Sequence, residues 1–111
     1  MTEARTLVVL VTAPSEAAAR ELGRRLVDER LAACVNVVPG VTSIFVWDGK
    51  REEAAETLLL IKTRAERYPL LQQRVLELHS YSVPEVLALT VDTGAPAYLR
   101  WVQDSVAVEG G

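Results

Sequence analysis

Two β-prone arms meet at Asp48-Gly49, and the pairing this dictates fixes the middle of the chain. A tight type I′ turn needs positive φ at both central residues, which Asp-Gly accepts more readily than almost any other dipeptide. The outgoing arm runs from Cys34 to Trp47 and the return includes Thr57–Thr63. The outgoing arm is roughly twice the usual strand length of about five or six residues. Pro39-Gly40 interrupts it and predicts a bend or bulge, because proline donates nothing to a ladder. Arg51–Glu56, just past the turn, is expected as an exposed, charged tip. A long, bent, apolar hairpin on a small domain reaches for something outside that domain.

The flanking segments complete the pattern. Thr6–Thr12 is an unbroken β-prone run ending before Pro14. Ser15 offers an N-cap hydroxyl, and Glu16 places negative charge in the first turn of a helix. Ala18, Leu22 and Leu26, joined by Ala19 and Val27, form its expected apolar face. Glu16 with Arg20, and Glu21 with Arg25, are acid-before-base pairs four apart on a solvated face. A second helix is expected after Thr63, with Pro69 in its first turn and Tyr68, Leu71, Val75 and Leu78 inward. His79–Glu85 is a polar, proline-marked connection, Val86–Val91 a last strand, and Pro96 the start of a third helix. Glu109–Gly111 reads as a frayed end.

Strand, helix, hairpin, helix, strand is the split βαβ order of a ferredoxin-like α+β sandwich, βαββαβ, here with an additional C-terminal helix. The 111 residues form one domain, 1–111, with a core of about 6–106. A net charge of −3 without a basic stripe argues against nucleic acid as a partner. No apolar run approaches the ~20 residues a membrane span needs. The single cysteine excludes an internal disulfide, and the N-terminus lacks signal architecture, so a cytoplasmic setting is expected.

In such a sandwich both crossover helices lie on one sheet face. The first, third and last strands nevertheless carry apolar residues on both faces, and one terminal helix cannot cover a whole second face. Other copies of the same chain would cover it, with the hairpin augmenting a neighbour's sheet edge. A closed ring of three would bury all the second faces around one axis.

Five stretches together resemble the CutA divalent-cation tolerance proteins. They are Val11–Pro14, Leu31–Asn36, Thr42–Lys50, Leu60–Thr63 and His79–Glu85. The resemblance runs in order from about Leu7 to Val102. It implies a ferredoxin-like fold, a tight homotrimer arranged similarly to the PII nitrogen-signalling proteins, and an association with copper and other divalent metals. Ser80 stands where the family usually has proline, and Phe45 where tyrosine is common. The family's proposed copper ligands, a cysteine and two adjacent histidines, correspond to Val11, Leu78 and His79. Of these, His79 alone carries a metal-ligating side chain.

The remaining chemistry leaves alternatives open. His79, the sole histidine, is either a hydrogen-bonding residue or a copper ligand. Cys34 is either a small packed hydrophobe or a soft metal ligand. Lys62, Tyr81 and Glu85 beside Trp47 suit a small polar anion or zwitterion in a cleft between subunits, consistent with residue types that recur in the family. Otherwise Lys62 and Glu85 form an ion pair that locks the subunit interface. Pro39, Gly40, Asp48 and Gly49 shape the hairpin that makes the trimer contact. No phosphate loop, dinucleotide fingerprint, His-Glu-x-x-His or serine elbow is present, so no enzyme is expected. The function expected is divalent metal tolerance by a trimer that binds copper weakly. The alternatives are a PII-like regulatory trimer with a metabolite in its cleft, and a structural trimer displaying a surface to a protein partner.

Overall fold

The computed structural model describes residues 5–107, so the expected frayed end at Glu109–Gly111 lies outside the described residues. Four strands form one antiparallel sheet: β1 (Thr6–Ala13), β2 (Cys34–Trp47), β3 (Lys50–Arg64) and β4 (Val86–Thr90). Their order, β2-β3-β1-β4, is that of the split βαβ arrangement. Asp48 and Gly49 both have positive φ, 51° and 75°, which identifies the type I′ turn. It closes a ladder that begins with Trp47 opposite Lys50.

Between Val38 and Val41 three steps along β2 meet two along β3, from Leu58 to Glu56. This one-residue bulge falls at Pro39-Gly40, where Gly40 takes φ 81°. The charged stretch Arg51–Glu56, expected as an exposed tip, is exposed at Arg51, Glu52, Glu53 and Ala55, and it is also regular strand within β3. Each of its residues pairs across to β2, from Arg51 opposite Val46 to Glu56 opposite Val41. Backbone pairing needs no apolar side chain, so a two-stranded ribbon with solvent on its flanks accepts charge at most positions. Because β1 pairs with β3 only back to Thr57, the outer half of the hairpin projects beyond the sheet as a ribbon. The molecule is accordingly elongated, 48 × 25 × 22 Å.

Helix α1 (Glu16–Asp28) begins at Ser15, whose hydroxyl accepts from the Ala18 amide at 3.1 Å. Its buried face is Ala19, Leu22, Gly23 and Leu26. Ala18 and Val27, expected inside, are exposed, because the buried stripe is narrower than expected and these two residues lie at its opposite edges. Glu16 pairs with Arg20 at 2.7 Å. Arg25 turns to Glu29 rather than to Glu21. Helix α2 (Tyr68–Leu78) follows a single 3-10 turn at Ala65–Arg67 and buries Leu71 and Val75. The two helices are tied by Arg74, which donates to both oxygens of Glu29 at 2.8 and 3.0 Å. This forked contact holds the Glu29 carboxyl below its ordinary pKa, with Arg25 helping.

Alternation along the strands separates two sheet faces. Leu7, Val9, Val11, Leu59 and Ile61 face α1 and α2 and form the core with Leu22, Leu26, Leu71 and Val75. Val8, Leu10, Leu58, Leu60, Leu87 and Leu89 point the other way, as the cross-strand register requires. Helix α3 (Pro96–Ser105) covers one end of that second face. Its Gln103 donates to the Thr6 hydroxyl at 3.0 Å, and Tyr98 reaches the Cys34 thiol. The rest is uncovered, leaving Leu87 and Leu89 at 55% and 53% exposure. Among the described residues no helix is long and apolar enough to cross a membrane.

Candidate functional site

Where the ribbon leaves the sheet, its inner surface and the loop after α2 enclose a cavity of about 750 Å³. Thr12, Ser43, Phe45, Trp47, Glu52, Ala54 and Glu56 reach it from the strands, and Tyr81, Ser82, Val83 and Glu85 from the loop. Ser43, Phe45 and Trp47 share a ribbon face with Ala54 and Glu52 because they are direct cross-strand partners or lie two apart. Two more ribbon residues, Ile44 and Glu53, complete the lining.

The His79 ring sets the position of the loop. Its Nε2 lies 2.7 Å from the Thr12 carbonyl oxygen, which only accepts, so Nε2 carries the proton. Its Nδ1 accepts from the Tyr81 amide at 3.1 Å, so it holds the lone pair. Both nitrogens of the neutral ring are thereby engaged by backbone. A copper ion at Nδ1 would displace the Tyr81 amide. The imidazole also lies against the Tyr81 ring, centroid to centroid 4.7 Å.

Tyr81 in turn donates its hydroxyl to Glu56 Oε2 at 2.9 Å. Burial raises the phenol's pKa first, and the Glu56 carboxylate raises it further by accepting the hydrogen bond and by its charge. Glu56 is only 8% exposed. Sequence reasoning passed over this residue as part of a charged tip. The available signal was period-two alternation: Glu56 lies two residues before Leu58 and four before Leu60, on the same strand face.

Trp47, Tyr81 and Glu85 line one cavity within the chain, whereas the cleft expected from the sequence lay between subunits, and Lys62 does not join them within the chain. Lys62 stands six strand positions beyond Glu56, roughly 20 Å along β3. It donates to Asn36 Oδ1 rather than to Glu85. Cys34 lies opposite Lys62, and Lys62 lies opposite Val8, four positions from the Thr12 that holds His79. That spacing, about 13 Å, keeps Cys34 away from His79. Cys34 is partly buried beside Tyr98, whose phenol pKa is raised by burial and by this thiol. Among the described residues no three His, Cys, Asp or Glu side chains converge as a metal site would require.

Residues 7–105 match the family described as CutA1 divalent ion tolerance protein. The chain is 51% identical over 98 residues to the divalent-cation tolerance protein CutA of Thermus thermophilus, covering 88% of this chain and 95% of that one. It is 50% identical over 92 residues to the mouse protein CutA, covering 83% of this chain and 52% of the mouse protein. The match therefore spans about half the length of that animal relative. The solved structure of the Thermus thermophilus divalent cation tolerance protein superposes with a TM-score of 0.90 at 49% identity, covering 92% of this chain and 99% of that one.

Proposed function

The chain belongs to the CutA1 divalent ion tolerance family, and we propose that it serves divalent metal tolerance as a cytoplasmic homotrimer without catalysing a reaction. The observation that carries the assembly is the uncovered second sheet face. Leu87 and Leu89 are half exposed there, and the projecting ribbon holds Ile44, Phe45, Val46 and Trp47 open to solvent. Fully burying one such side chain contributes about 1.5–3 kcal/mol, so leaving all of them wet in a 111-residue domain is costly. Second copies remove that cost. The bulge at Pro39-Gly40 and the turn at Asp48-Gly49 aim the ribbon at a neighbour.

Copper binding by this chain is weak, because His79 gives up the Tyr81 amide to ligate and Cys34 is too far away to assist. A calorimetric copper titration of the metal-free protein and of His79→Ala tests this. The expected result is low-affinity binding that differs little between the two. Tight, saturable binding that vanishes in His79→Ala would overturn it.

A second reading is favoured by the cavity, whose volume falls within the ordinary range for small-molecule sites. On this reading the trimer is regulatory in the manner of PII proteins, and the ligand enters beside Trp47, Tyr81 and Glu85. Occupancy would move the Tyr81–Glu56 contact and hence the ribbon.

A further inference from the structure

The bulge and the end of the sheet fall at the same level of the hairpin. β1 pairs with β3 no further than Ala13 opposite Thr57, and the first β2–β3 pair past the bulge is Val41 opposite Glu56. Beyond that level the ladder is two-stranded, and a two-stranded hairpin alone is marginal in water. A bulge bends and twists the strand that carries it, so the ribbon takes its direction at this hinge. Glu56, buried at the hinge, is gripped from outside the hairpin by the Tyr81 hydroxyl at 2.9 Å. Tyr81 is itself held by the His79 ring, which accepts its amide at 3.1 Å and donates to the Thr12 carbonyl at 2.7 Å. Thr12 lies opposite Leu58, two residues from Glu56, so these bonds close a circuit through sheet, imidazole, phenol and carboxylate. We propose that this circuit is a latch that fixes the ribbon's direction in the unassembled chain, so that copies meet a ribbon already aimed. This deepens the assembly reading above and rests on it.

Every bond of the latch lies within one chain, so it acts before any second copy arrives. Association that must first order a swinging segment loses part of its binding free energy to that ordering, and a pre-set segment does not. The hinge matters because of leverage. Ile44, Phe45, Val46 and Trp47, the exposed apolar residues of the ribbon, all lie outside it. Trp47 stands six positions past Val41, roughly 20 Å out along the strand. A swing of about 10° at the hinge therefore carries it about 3–4 Å, enough to break a packed side-chain contact. The imidazole lies against the Tyr81 ring, centroid to centroid 4.7 Å, which limits the phenol's freedom to follow such a swing.

The test compares full-length wild type with Tyr81→Phe, Glu56→Ala, the double variant and Glu56→Gln, by amide hydrogen exchange and by sedimentation on dilution. Tyr81→Phe keeps the ring and removes only the hydroxyl. It and Glu56→Ala should each speed exchange over residues 41–56 by about tenfold or more and raise the dissociation constant by a similar factor. Core amides of α1 and α2 should not move. The double variant should be no worse than either single one, because both remove the same bond. Glu56→Gln retains an acceptor and should lie closer to wild type, which keeps the test valid should Glu56→Ala disturb folding. Exchange rising equally in ribbon and helices would mean general destabilisation and would overturn the latch. So would unchanged ribbon exchange in Tyr81→Phe. Losses that add in the double variant would overturn it as well, since each side chain would then meet the neighbouring copy independently. A wild type that sediments as one chain would overturn the assembly reading, while faster ribbon exchange in its Tyr81→Phe variant would still uphold the latch.

Discussion

At the scale of single residues, His79 shows how little freedom a lone imidazole keeps once two backbone groups claim it. The Thr12 carbonyl fixes the tautomer and the Tyr81 amide uses the remaining lone pair. Each such bond contributes about 0.5–1.5 kcal/mol net, and losing both partners' satisfaction costs more. His79→Ala should therefore lower the melting temperature at fixed protein concentration and speed hydrogen exchange at the Tyr81 amide. Unchanged exchange would mean the ring does not hold the loop. The sequence offered His79 either role, because residue type alone does not say where backbone groups will lie. Glu29 gives a second residue-scale expectation. Its folded pKa is depressed, chiefly by Arg74, so its contribution to stability is complete above the unfolded value near 4.5 and fades as pH falls below it. Wild type should lose melting temperature as pH falls below about 4.5 more steeply than Glu29→Gln. Parallel curves for the two proteins would contradict that.

At the scale of elements, the turn and the bulge were legible because each depends on local backbone chemistry. Asp48 and Gly49 adopt positive φ, and Gly40 does so at the bulge. A Cβ at Gly49 or Gly40 would meet nothing within 4 Å, so any cost of adding one is conformational. Gly49→Ala should destabilise by about 1–2 kcal/mol, read as a lower denaturant midpoint with unchanged slope. A neutral effect would mean the ribbon does not depend on this turn. The strand through Arg51–Glu56 was not legible as strand, because charge density is a signal of exposure and not of backbone conformation. The cavity was legible only in part for the same reason. Trp47, Tyr81 and Glu85 stood out by type, whereas Glu56 is set apart by the burial that Thr12, Tyr81 and the ribbon create around it. The face of α1 was legible at Ala19, Leu22 and Leu26, but its edges at Ala18 and Val27 stay exposed because the buried stripe is narrower than the apolar one.

At the scale of the whole molecule, a core packed on one face of the sheet coexists with a second face that α3 covers only at its Thr6 end. The sequence showed this imbalance as strands apolar on both sides, and the exposed Leu87 and Leu89 locate it. Interface substitutions should follow that map. Leu89→Asp should dissociate the assembly, while Trp47→Ala should weaken it and lower the melting temperature; unaltered mass and melting temperature in both would exclude these surfaces from the contact. The most direct measurement is sedimentation equilibrium of the unmodified full-length chain at micromolar concentration. A mass of three chains, unchanged on dilution, is the expected result. A mass of one chain would mean that the uncovered face and the ribbon are tolerated in water, and the proposed trimer would be withdrawn.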